Sequence, residues 1–212
     1  MNAGAALRLA CGDLYRNSWR LIPVNAAIGV VLVFSALAAV AVHALLVLAV
    51  LAGPLVVALA HSSVTLVRTG NLALADAWEG LRLYWRRGLA LGAAGLALGV
   101  LAALAVHFYT RFSVGWPLAF LTLYLVVLLG IYAAVLTTVA VAEPGLPLSA
   151  AGRSAAALAA QRPGATLVIG LALLLVNLAG VAAAVMPFLT ITVAYSFVAV
   201  AHFVLPREAR EV

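Results

Sequence analysis

The sequence predicts an all-α protein, a polytopic membrane bundle of six transmembrane helices with amphipathic helices on the cytoplasmic face. Three observations carry that expectation. The 212 residues are 67% hydrophobic and only 8% charged, with a mean hydropathy of +1.22, against about 25% charged for an ordinary soluble domain. Too little polar surface remains to face water, so lipid is the solvent for most of the chain. The apolar residues also fall into runs long enough to cross a hydrocarbon core of about 30 Å as helices. Finally, the 12 basic side chains are all arginines, and they gather at the ends of those runs, where anionic headgroups would meet them.

In chain order, residues 5–20 read as a short amphipathic helix. Asp13, Arg16, Asn17 and Arg20 form one face; Leu7, Cys11, Leu14, Tyr15 and Ser18–Trp19 form the other. The apolar run from Leu21 to Ala60 far exceeds a signal-peptide core of about 7–15 residues. As one helix it would extend about 60 Å, so it must turn. The turn is expected near His43, giving spans Val24–Val42 and Ala44–Val67, with Gly53–Pro54 as a kink inside the second. A turn at Gly53–Pro54 instead would leave a remnant too short to cross.

The longest polar interruption runs from Arg68 to Arg87, where four arginines (68, 82, 86, 87) face Asp76 and Glu79. At helical spacing Leu74, Ala77, Trp78, Leu81, Tyr84 and Trp85 share a face, and Glu79, Arg82 and Arg86 lie opposite. Such a helix would lie along the membrane surface with Trp78, Arg82, Tyr84, Trp85, Arg86 and Arg87 at headgroup depth. A helix packed on its own protein has the same pattern, and the two are compatible. Spans Leu89–Tyr109 and Pro117–Val141 come next, joined by a short loop holding Arg111. In the polar stretch Glu143–Pro163, Ser149 is expected to N-cap a helix reaching Gln161. Ala165–Met186 and Phe188–Leu205, split at Met186–Pro187, complete the six.

Six crossings place arginines 8, 16, 20, 68, 82, 86, 87, 153, 162, 207 and 210 on one side and only Arg111 on the other. That asymmetry puts both termini in the cytoplasm; five crossings would destroy it. Residues 1–212 form a single integral membrane domain. Within it a unit of amphipathic helix plus apolar hairpin recurs as a threefold repeat over 5–69, 70–143 and 144–205. Leu72–Ala75 to Arg87 parallels Leu146–Ser149 to Arg162, and Trp19–Arg20 parallels Trp85–Arg87, although composition alone can generate such likeness. The absence of lysine fits a GC-rich bacterial genome.

Chemistry-bearing residues are few. No Asp, Glu, Lys or Arg falls inside an expected span, which argues against an ion-driven carrier; a facilitator of neutral solutes survives. Pro54, Ala58, His61, Thr65 and Arg68 share one stripe of the second span and could line a polar crevice with Tyr132 and Asn177. The same groups could equally serve as hydrogen-bonding glue between helices. Asn25, Tyr124 and Tyr195 could reach that interior too. Gly88, Gly92, Gly95 and Gly99 line one face of the third span and permit a close helix neighbour, internal or from a second copy. His43, His107 and His202 lie toward span ends. No two histidines stand at i, i+4 and Cys11 is alone, so neither a metal site nor a disulfide is expected. Asp13, Asp76, Glu79 and Glu143 are interfacial and belong to no catalytic motif. No enzyme activity, cofactor or nucleic-acid partner is expected.

Gly53–Pro54 followed by small residues, the aromatic-basic helix Trp78–Arg87 leading directly into a span, and the late Met186–Pro187 break together resemble the YesL-like family of bacterial integral membrane proteins. The resemblance implies a helical membrane protein, in some members associated with carbohydrate uptake, and no catalytic residue. The leading functional expectation is a non-enzymatic accessory protein of the inner membrane serving a solute-uptake system. The alternative is a neutral-solute facilitator or lipid-binding protein with an interhelical pocket lined by His61, Thr65, Tyr132 and Asn177. Expected partners are anionic lipid headgroups at the cytoplasmic arginines, and a membrane protein or a second copy.

Overall fold

A computed structural model describes residues 2–183 and 187–205. The chain is all-helical there, and five of its helical segments are long and apolar enough to cross a membrane: Ala3–Ala41, His43–Thr69, Leu74–Tyr109, Ser113–Ala142 and Pro163–Ala182. The last apolar segment, Thr190–Val204, is shorter. Met186, one half of the expected Met186–Pro187 break, and the tail arginines 207 and 210 lie outside the described residues.

Helix α1 is Ala3–Ala41. Its first turn is capped by Asn2, whose Oδ1 accepts the Ala5 amide at 2.8 Å. The expected helix over 5–20 and the span from Val24 are therefore one continuous element. Pro23 lies in its interior and removes only the amide that would meet the Trp19 carbonyl. The helix ends where Val42 turns extended (φ −139°, ψ 106°), at the expected turn. The next segment is not the expected α-helical span but a nine-residue 3-10 helix, His43–Leu51, that becomes α2 (Ala52–Thr69). Gly53–Pro54 thus sits in the first turn of α2. Pro54 has no amide to donate to the Val50 carbonyl, which favours the change of helix type at this point. Helix α2 closes on Gly70 in the left-handed conformation (φ 70°), whose amide donates to Leu66 O at 2.9 Å.

Helix α3 is Leu74–Tyr109, so the basic segment and the third span are also one helix. Asp76 Oδ2 accepts the Ala73 amide at 2.7 Å and closes its start. After the turn Ser113–Gly115 comes α4 (Trp116–Ala142), then α5 (Leu148–Gln161) and α6 (Pro163–Ala182). Ser149 does not cap α5: Pro147 holds that position, Ser149 is the second helical residue, and no side-chain cap bond forms. Arg162 alone separates α5 from α6, because its φ of −137° breaks the helix before Pro163 restarts it. A π-helical turn, Phe188–Thr192, leads into α7 (Val193–Val204).

The core forms where α7 and α2 meet α1 and the C-terminal half of α4. Ala194, Val198, Ala199 and Ala201 of α7 and Leu59 and Ala60 of α2 are fully buried. Small side chains dominate, which lets backbones approach closely. The middle of α3 and much of α6 face outward.

Candidate functional site

The α2–α3 crossing explains half of the glycine stripe. A Cβ on Gly53 would overlap the Gly88 carbonyl, one on Gly88 would stand 2.5 Å from Pro54 Cα, and one on Gly92 would stand 2.6 Å from Val50 O. Only glycine fits at this contact. The other half of the stripe has the opposite character: a Cβ on Gly95 or Gly99 would meet nothing within 4 Å. The missing side chains help to open a groove of about 710 Å³ between the 3-10 segment and helices α1 to α4. Leu32, Leu46, Val56, Leu91, Gly95 and Leu129 are among its walls, and its polar side chains are Tyr132 and Thr137. From Leu91 to Ala103 it runs along α3 for about 18 Å, slightly more than one leaflet of a hydrocarbon core about 30 Å thick.

The arginine-rich end of the bundle is held by guanidinium groups bonded to main-chain carbonyls. Arg68 donates to Ala142 O at 2.8 Å. Arg87 donates to Ala140 O at 2.9 Å and to Pro144 O and Leu146 O at 3.0 Å each. Both cations thus meet the unsatisfied carbonyls at and just beyond the C-terminus of α4, where the helix dipole also favours positive charge. Arg20 reaches Asn71 Oδ1 at 2.8 Å and also the Leu72 carbonyl. Of the six side chains expected at headgroup depth, Arg87 is thus half-buried in the protein and Tyr84 is only 5% exposed. Tyr84 stacks obliquely on His61 (ring centroids 5.7 Å apart). Trp78, Arg82, Trp85 and Arg86 do face outward, and Arg86 lies over the Trp85 ring at 5.3 Å. The inward stripe of α3 is Gly80, Tyr84 and Gly88.

The four side chains expected to share a pocket are distributed. His61 is half-buried between Tyr84 and Gly80, where a Cβ on Gly80 would come within 2.7 Å of it. Thr65 lies one turn further along α2. Neither lines the groove. Tyr132 lines it and donates its hydroxyl to Gly152 O of α5 at 3.1 Å. Asn177 lines a separate cavity of about 280 Å³ between α4, α6 and α7. There its amide donates to Leu173 O and Ser196 Oγ (2.8 and 2.7 Å) and its Oδ1 accepts from Thr192 Oγ1 at 3.0 Å.

Two contacts have no counterpart in the sequence pattern. Asn25 Oδ1, 1% exposed with its residue, accepts the Ala194 amide at 2.7 Å, next to the π-helical turn. His202 Nε2 lies 2.7 Å from Asp13 Oδ2. Each joins α1 to α7 across most of the chain, and periodicity within one helix carries no signal of such a pairing. Among the described residues no group of three or more His, Cys, Asp or Glu converges.

Comparisons with protein-family models, with curated proteins and with solved structures give no match. The groove is the feature of this chain with a chemistry of its own.

Proposed function

We propose that this chain is a six-span protein of the bacterial inner membrane, both termini cytoplasmic, that holds the hydrocarbon chain of a membrane amphiphile in the α1–α4 groove. The observation that carries the reading is the groove itself: about 710 Å³, walled by aliphatic side chains, and matched in length to one leaflet. A space of this kind is filled by hydrocarbon in a bilayer, and a neutral polar solute would find almost no hydrogen-bonding group there. No catalysis is assigned to it. The six-span count is supported by Asp13 lying beside His202, which brings residues near both ends of the chain to the same end of the bundle.

The test is lipid retention. Protein exchanged from lipid nanodiscs into detergent and weighed by native mass spectrometry should retain bound lipid. A Gly95→Leu/Gly99→Leu variant fills the groove from positions where an added Cβ meets nothing within 4 Å, and should retain less. Equal retention by the two proteins would sink the reading.

A second reading, the accessory protein of a solute-uptake complex as in the YesL-like layout, is favoured by the outward ribbon of Trp78, Arg82, Trp85 and Arg86. Aromatic and arginine side chains are the ones that anchor protein interfaces. Stoichiometric co-purification of a membrane partner from gentle detergent, lost on substituting the ribbon, would support it. Purification of the chain without any partner would count against it.

A further inference from the structure

A third space, an open depression of about 490 Å³, lies where α5 packs on α4 and is lined by Ser149, Gly152 and Arg153 together with Tyr132 and Leu136. Tyr132 and Leu136 also line the apolar groove, so the two spaces meet at these two side chains. The hydrogen bond from the Tyr132 hydroxyl to Gly152 O fixes the ring at that junction. On one side of it the surroundings are hydrocarbon; on the other they include a hydroxyl and a guanidinium.

Arg20, Arg68 and Arg87 are bonded to carbonyls, and Arg111, at the opposite end of the bundle, lies 2.7 Å from His107 Nε2. The other described arginines are exposed without such bonds, and of these Arg153 lines this space. Arg153 is exposed, and no hydrogen bond or ion pair joins it to the described residues. Ser149 is likewise exposed and unbonded there. A guanidinium presents a planar fork of donors that matches a phosphate, and a serine hydroxyl adds a donor one turn away. A free anion would use that pair alone. An anionic lipid would use the pair and the groove behind it.

Building on the reading of the groove as a hydrocarbon site, we infer that the two cavities together hold one anionic phospholipid. Its phosphate sits at Arg153 and Ser149, and one acyl chain passes the Tyr132–Leu136 junction into the groove. The polar cavity lies toward the arginine-rich end of α4, so the lipid keeps the orientation of its own leaflet.

Native mass spectrometry of protein exchanged from nanodiscs of equal phosphatidylglycerol and phosphatidylcholine tests this. Wild type should retain phosphatidylglycerol over phosphatidylcholine by roughly fivefold, the scale of one arginine near an anionic headgroup. Arg153→Gln, which breaks no hydrogen bond or ion pair among the described residues, should retain lipid with that preference lost, whereas Arg82→Gln should leave it unchanged. An undiminished preference in Arg153→Gln overturns the headgroup assignment and leaves the groove reading standing. Wild type that retains no lipid overturns both. Inorganic phosphate that protects Arg153 from phenylglyoxal in lipid-free protein as fully as the phospholipid does would assign the site to a free anion.

Discussion

Arg87 shows how one side chain can be read correctly in type and wrongly in partner. The helical wheel places it at the edge of an amphipathic face, and either lipid phosphate or protein carbonyl would satisfy its charge. In the structure it bonds to three carbonyls at the end of α4 and the turn after it. The signal that separates the cases was present: Gly80 and Gly88 flank Tyr84 at i−4 and i+4, and glycines at that spacing mark the stripe that another helix covers. Arg87 adjoins that stripe, whereas Arg82 lies off it. Arg87→Ala should therefore lower stability by about 1–3 kcal/mol, the scale of stranding hydrogen-bonded groups. Arg82→Ala should change it by less than about 0.5 kcal/mol, as for an ordinary surface substitution. Thermal unfolding of the two variants in the same detergent compares them directly, and equal losses would contradict the assignment. His61 gives a parallel case. Its stripe on α2 was legible, but the Tyr84 ring that covers it lies on another helix, beyond the reach of spacing.

At the scale of elements, the α-helical stretches and the turn at Val42–His43 were legible, because apolar runs and lengths constrain them directly. Continuity was less so. Composition changes at Arg20 and at Arg87–Gly88, yet neither place carries a helix stop: Pro23 costs one hydrogen bond, and Gly88 is held by the contact it makes with Pro54. The 3-10 segment was not legible at all, because it answers to the missing Pro54 amide and to the close pass of α3 together. The same crossing yields a contrast within one stripe. Gly88→Ala inserts a methyl against the Pro54 backbone and should destabilise by about 1–3 kcal/mol. Gly95→Ala adds the same methyl where nothing lies within 4 Å, and should stabilise by up to about 1 kcal/mol through helix propensity. Melting temperatures that move together in the two variants would show that the helices do not meet as described.

At the scale of the whole molecule, the membrane class was legible because 8% charged residues cannot clothe a soluble particle, while the number of crossings depends on contacts between distant segments. Asp13 with His202, Arg20 with Asn71 and Arg87 with Leu146 bring the start of α1, the α2–α3 turn, the α4–α5 turn and the end of α7 to one end of the bundle. The turn Ser113–Gly115 lies at the far end of α3 and α4. On the proposed six-span reading, such an arrangement crosses an even number of times, with the shorter Thr190–Val204 segment joining the five long helices as the sixth. Cys11 is the sole cysteine and is exposed, as are Ser113 and Ser154, so each position can report its side in turn. In inside-out vesicles a membrane-impermeant maleimide should label Cys11, and should label Ser154→Cys in a Cys11→Ser background. Ser113→Cys in that background should react only in right-side-out vesicles. If Cys11 and Ser154→Cys react from opposite faces, the two ends of α1–α4 do not return to one side, and the six-span topology fails with them.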